Sequence, residues 1–141
     1  MIQLKHRVAV YGSLLKGLSN HVVIGRYIPD GRAKLLGEDI TDPEFAMLNL
    51  GAFPGLLEGE NRISVEVYNL TEEAFRSVRR LEGYNPNGGG LYTEKTIETA
   101  YGPAVIYMFN RGTGSFGRSK TVEPDENGIV YWKNEIAQKS Y

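Results

Sequence analysis

Apolar residues fall in short clusters separated by glycine, proline and Asn/Asp positions, the spacing of a strand-rich chain with many turns. Val8-Ala9-Val10-Tyr11 is an apolar run that stops at Gly12-Ser13 and reads as a buried strand. Ser19 is placed to cap a short helix through Asn20-His21-Val22-Val23-Ile24, stopped by Gly25. Ala33 to Leu36 and Phe45 to Leu50 predict strands on either side of the turn residues Thr41-Asp42-Pro43, and Phe53-Pro54-Gly55-Leu56 predicts a further turn. Ile63-Ser64-Val65-Glu66-Val67-Tyr68 alternates with period two and predicts another strand. Glu94 to Ala100 and Ala104 to Phe109 predict a hairpin about Tyr101-Gly102. A glycine-rich loop from Asn110 to Ser119 leads to a last strand near Ile129-Val130-Tyr131-Trp132. The expected fold class is α+β, with about six strands, one main helix and one or two short ones.

The main helix is the clearest element. Thr71 suits the N-cap, Glu72 and Glu73 fill the first turn, Arg79 and Arg80 the last, and Gly83 takes the position after the end. With Phe75 at 0° and an advance of about 100° per residue, Val78 falls near 300° and Glu82 near 340°. Ala74 and Leu81 fall near 260° and 240°. Glu82 thus projects from the apolar face, where lost hydration raises a carboxylate pKa toward the value useful in general acid/base catalysis. The other reading is a frayed last turn that sends Glu82 outward beside Gly83.

Length and composition narrow the classes. The 141 residues fit one domain, with 41% apolar and 23% charged residues. Such a domain buries about two-thirds of its unfolded surface. Sixteen Lys+Arg against seventeen Asp+Glu give a formal charge of -1, which argues against a surface built for nucleic acid or an anionic membrane. Zero cysteines exclude disulfides, cysteine nucleophiles and thiolate metal sites. No secretory signal or membrane span is visible, so the Asn69-Leu70-Thr71 sequon is expected to be idle and the protein cytoplasmic.

Other candidate chemistry weighs little. Gly112-Thr113-Gly114-Ser115-Phe116-Gly117 matches a dinucleotide fingerprint, but Lys120 to Pro124 supplies no helix behind it. His6 and His21 are isolated, so no metal and no cofactor are expected. His21 stands beside the first loop, either touching a substrate or half-buried. Glu66 is the rival carboxylate; it points away from Val65 and Val67, toward solvent or toward a pocket, with a structural use favoured. Tyr68, Tyr107, Phe109, Tyr131 and Trp132 read as core and pocket wall.

The Gly12-Ser13-Leu14 segment after the first strand is either a tight turn or a place where backbone amides converge on an anion. Here the chain resembles a known family. Val8 to Asn20, containing Tyr11-Gly12-Ser13-Leu14-Leu15-Lys16-Gly17, is similar to the opening signature of the γ-glutamylcyclotransferase-like family, which includes the γ-glutamylamine cyclotransferases and AIG2-like proteins. Phe53-Pro54-Gly55-Leu56-Leu57, Val65-Glu66-Val67-Tyr68-Asn69-Leu70-Thr71, and Leu81-Glu82-Gly83 followed by Tyr92 match further family stretches in order, over about residues 8 to 109.

The resemblance implies a small mixed β-barrel with flanking helices. It implies a pocket with Glu82 as the catalytic group and Tyr11, Gly12, Ser13, Leu14 and Tyr92 as substrate-binding residues. The implied reaction cyclises a γ-glutamyl group to 5-oxoproline and frees an amine, without metal. The implied partner is a small γ-glutamyl compound, not nucleic acid or membrane; the oligomeric state stays open. Alternatives are a non-catalytic binding member of the same fold, or a different amide chemistry in the same pocket. The chain departs from the family pattern at Val65 (usually Gly), at Tyr92-Thr93-Glu94-Lys95 (usually Tyr-x-Arg) and in the longer Tyr84 to Leu91 segment.

Overall fold

A computed structural model describes residues 2–51, 53–85, 87, 89–110 and 120–133. Strand β1 (His6–Val10) lies in the middle of the large sheet, antiparallel to β5 (Arg62–Leu70) and parallel to β7 (Gly102–Phe109). The path runs β2 (Ala33–Ile40), β5, β1, β7, β6 (Tyr92–Thr99), and β9 (Ile129–Val130) adds to β5. A smaller sheet has the order β4 (Pro54–Glu58), β3 (Phe45–Asn49), β8 (Lys120–Thr121). Helix α1 (Val22–Gly25) and helix α2 (Glu72–Glu82) complete the described elements.

Both faces of the large sheet are covered, and strand alternation sorts the residues between them. Val8 and Val10 of β1, with Tyr68 and Leu70 of β5, pack with Ile24, Tyr27, Phe75 and Val78 of the helical layer. Ala9 of β1, and Ile63, Val65 and Val67 of β5, pack with Phe45, Met47 and Leu56 of the small sheet. Each face thus has its own buried cluster.

The mixed α+β class holds, with four differences from the sequence reading. Nine strands occur among the described residues, where about six are expected. The segment read as a turn at Phe53-Pro54-Gly55-Leu56 is the start of β4, paired to β3 with Asn49 opposite Pro54. Pro54 is the first residue of its strand, a position that tolerates the missing N–H. Ser19 does not cap α1; the helix is a single turn beginning after His21 with no side-chain cap. Finally, β2 and β6 are the ends of the large path, and no closed barrel of ladders forms among the described residues. The glycine-rich segment 111–119, with its fingerprint-like glycines, lies outside the described residues.

Helix α2 follows its sequence signals closely. The Thr71 hydroxyl accepts from the Ala74 amide at 3.3 Å, and Gly83 takes a left-handed φ of 63° that ends the helix. Helical geometry therefore continues through Glu82.

Candidate active site

The first loop leaves β1 at Tyr11 and is held from three sides. Asn20 donates through its side chain to Ser13 Oγ at 2.9 Å and through its backbone to the Ser13 carbonyl at 2.9 Å. The His21 ring donates from Nδ1 to the Leu14 carbonyl at 2.9 Å. The Lys16 amide donates to Glu66 Oε1 at 2.9 Å. Gly12 is fixed by a close approach: a Cβ there would lie 2.7 Å from Pro54 Cγ. Among the described residues, none accepts a hydrogen bond from the amides of Gly12, Ser13 and Leu14.

Beside this loop is a cavity of about 210 Å³. Glu82, Tyr11, Gly12, Ser13, Leu14 and Tyr92 all line it, so every site residue named from sequence comes to one place. The end of β1, Tyr107 of β7 and the last turn of α2 all contribute to the cavity lining. Glu82 keeps part of its surface open to the cavity while protein encloses it otherwise. Its carboxylate forms no hydrogen bond or ion pair among the described residues, and burial raises its pKa to about 8. The inward reading of Glu82 is therefore the one realised, and the helix end does not fray outward.

Three tyrosines surround the carboxylate. Tyr11 donates to the Tyr107 carbonyl at 2.7 Å, Tyr92 to the Pro54 carbonyl at 2.5 Å, and Tyr107 to Glu94 Oε2 at 2.8 Å. Burial is the main cause that pushes all three phenols above their ordinary pKa; the Glu94 hydrogen bond comes next for Tyr107, and the Glu82 charge adds a smaller push to each. Phe53, Pro54, Leu81 and Leu91 supply the apolar lining. Sequence reasoning read Tyr107 only as wall and did not single out Asn20. The signal was available for Asn20, at the end of the loop signature, but not for Tyr107, whose role depends on its cross-strand partner.

Glu66 lies elsewhere. It points to the helical face of β5, away from Val65 and Val67, and that face is covered, so the side chain is buried. Oε1 accepts from the Lys16 amide at 2.9 Å and the Tyr68 hydroxyl at 3.0 Å, and Lys133 Nζ stands 3.8 Å from Oε2. These contacts tie β5 to the first loop, and Glu66 also lines a separate cavity of about 110 Å³ with Leu15, Trp132 and Lys133.

Comparison with known proteins decides the family. The sequence profile described as "Gamma-glutamyl cyclotransferase, AIG2-like" matches residues 8–133. The chain belongs to this family. A Vibrio cholerae relative, provisionally named a gamma-glutamylcyclotransferase, is 38% identical over 106 residues, covering 75% of this chain and 84% of its own. Among solved structures, a Pyrococcus horikoshii protein superposes with a TM-score of 0.69 at 24% identity, covering 96% of both chains. An AIG2-like protein from Mus musculus gives 0.64 at 19% identity, covering 89% of this chain and 94% of that one.

The departures of this γ-glutamylcyclotransferase-like chain each have a local explanation. Val65 is buried against the small sheet, where a side chain fits. Glu94 sits where the family pattern carries Arg and makes a two-pronged ion pair with Arg79, Nε to Oε2 at 2.7 Å and Nη2 to Oε1 at 2.8 Å. From the longer segment, Leu91 reaches the cavity and the Tyr84 ring lies 4.8 Å from the Arg79 guanidinium.

Proposed function

We propose that this protein cyclises small γ-glutamyl compounds to 5-oxoproline with release of a free amine. The observation that carries the reading is Glu82: a carboxylate without described hydrogen-bond partners, its pKa raised to about 8 by burial, in the same cavity as the open amides of Gly12, Ser13 and Leu14. An ordinary carboxylate is a poor base toward an ammonium group. Burial raises Glu82 toward the range of an ammonium group, so proton transfer between them becomes less uphill.

In the proposed reaction Glu82 takes a proton from the α-ammonium, and the freed amine attacks its own γ-carbonyl carbon. A bond forms from nitrogen to carbon, and the carbonyl oxygen takes the charge, facing the first-loop amides. The bond to the leaving nitrogen then breaks. Two protons in all leave the α-nitrogen and two reach the departing nitrogen, with Glu82 carrying them, so the products are a neutral lactam and R–NH3+. Five-membered closure within one molecule already has a high effective molarity, so one base and one oxyanion site suffice without metal. The partners on this reading are small γ-glutamyl compounds, not nucleic acid or membrane, and the setting is the cytoplasm.

The test is incubation with a panel of γ-glutamyl amines and peptides, reading 5-oxoproline by mass spectrometry, with Glu82→Gln alongside. Product from the parent and none from the variant supports the reading. A parent inactive on the whole panel overturns it, and one that still binds a γ-glutamyl compound is then a non-catalytic member of the fold.

A further inference from the structure

The Arg79–Glu94 ion pair stands outside the cavity lining but is joined to it through Tyr107, a lining residue whose hydroxyl donates to Glu94. We propose that Arg79 and Glu94 are positioning residues that fix Tyr107 as a hydrogen-bond acceptor for the α-ammonium group of the substrate. The proposal rests on the γ-glutamyl reading above and adds what recognises the ammonium.

Glu94 on β6 lies directly opposite Tyr107 on β7 in the ladder. Its Oε2 receives the Tyr107 hydroxyl at 2.8 Å and Arg79 Nε at 2.7 Å, while Oε1 receives Arg79 Nη2 at 2.8 Å. Both Glu94 oxygens accept from the guanidinium, and Oε2 accepts as well from the phenol, which donates its single proton to it. The phenolic oxygen then has only lone pairs left to offer the cavity. Tyr92, its proton given to the Pro54 carbonyl, is in the same state. With the Glu82 carboxylate these make a set of acceptors around one space, suited to a primary ammonium with three N–H donors and unsuited to another acceptor.

The pair is also braced. The Arg79 guanidinium lies over the Phe75 ring at 4.5 Å and against the Tyr84 ring at 4.8 Å, so it is held on two sides and in turn holds Glu94. Reversing the pair would keep the attraction but reverse the polarity at Tyr107. An arginine at position 94 would donate to the phenolic oxygen and turn its proton toward the cavity. Ion-pair stability and ammonium recognition can therefore be separated by experiment.

NMR titration of the full chain with L-glutamine and with 4-carbamoylbutanoate provides the test, since the two differ only in the α-ammonium group. The parent is expected to bind L-glutamine about tenfold or more tightly than the des-amino compound, the scale of a lost charge-assisted hydrogen bond. In Glu94→Gln, Arg79 retains the amide oxygen and the amide nitrogen faces Tyr107, so most of that preference is lost; Tyr107→Phe loses it too. Affinity for 4-carbamoylbutanoate stays within about twofold in both. The exchanged pair Arg79→Glu/Glu94→Arg regains melting temperature relative to Glu94→Gln without regaining the preference; if it fails to fold, the two single variants still decide. A preference retained in both single variants overturns the positioning role and leaves the γ-glutamyl reading standing. A parent that binds both probes equally overturns ammonium recognition by this cage. A parent that binds neither probe overturns the γ-glutamyl reading and the positioning role with it.

Discussion

Glu82 and Glu66 are the same residue type, both largely enclosed, and their surroundings are opposite. Glu66 is the more buried, yet a backbone amide, a phenol and a lysine face it. Glu82 opens onto a cavity, yet none of the described residues hydrogen-bonds it. Depth alone does not make a reactive carboxylate. What counts is whether the protein replaces the lost water with donors, and at Glu82 that place is left for a ligand.

The largest expected effect separates the two by turnover. Glu82→Gln keeps the shape and removes the base, so 5-oxoproline formation falls about a hundredfold or more while binding of the γ-glutamyl group persists. Glu66→Gln costs turnover less than about tenfold, because its amide oxygen can still accept from Lys16 and Tyr68. A dead Glu66→Gln beside an active Glu82→Gln would reverse the assignment.

Stability gives the next contrast, with the order inverted. Glu66→Leu leaves the Lys16 amide and the Tyr68 hydroxyl without their acceptor and is expected to destabilise by about 1–3 kcal/mol in denaturant unfolding. For Glu82 the sign depends on pH. A folded pKa of about 8, above the unfolded carboxylate value near 4.5, means that the protonated form is favoured in the fold. That benefit is present at low pH and is lost progressively between about 4.5 and 8. The melting temperature of Glu82→Gln relative to the parent should therefore be nearly level at pH 5 and rise toward pH 9. A difference that stays flat over this range would show that Glu82 titrates as an ordinary surface carboxylate. The rate profile follows the same group: kcat/KM rises as pH passes through about 8, and Glu82→Gln loses that limb.

The smallest effect tests the remaining Glu66 partner. Lys133 Nζ is 3.8 Å from Oε2 and its side chain is 46% exposed, so Lys133→Met should change stability by no more than about 0.5 kcal/mol. A larger loss would mean that the Glu66 charge depends on the lysine and not on the amide and phenol.

Much of this was readable before the structure, for physical reasons. Helix α2 carries its own start, stop and apolar stripe within thirteen residues, so Thr71, Gly83 and the inward direction of Glu82 follow from local geometry. The β6–β7 hairpin is local too, with its turn at Tyr101-Gly102. What was missed depends on contacts between distant segments. Phe53-Pro54-Gly55 carries turn chemistry, and only pairing with β3 makes it a strand. β8 is two polar residues whose pairing comes from β3. The small mixed β-barrel came from family likeness, and the described ladders include none that joins β2 to β6. Nothing local in the sequence joins Arg79 to Glu94; the packing of α2 on the large sheet brings them together as a pair.

Pro54 has a wider consequence. Its ring fills the space that a side chain at Gly12 would need, and its carbonyl receives the Tyr92 hydroxyl. One residue therefore spaces the loop on one side and orients a phenol on the other. Positions 12, 54 and 92 cannot drift independently: a larger residue at 12 requires a smaller one at 54, and a shift of the β4 backbone leaves Tyr92 without its acceptor. Across diverging relatives these three sites should change together or not at all.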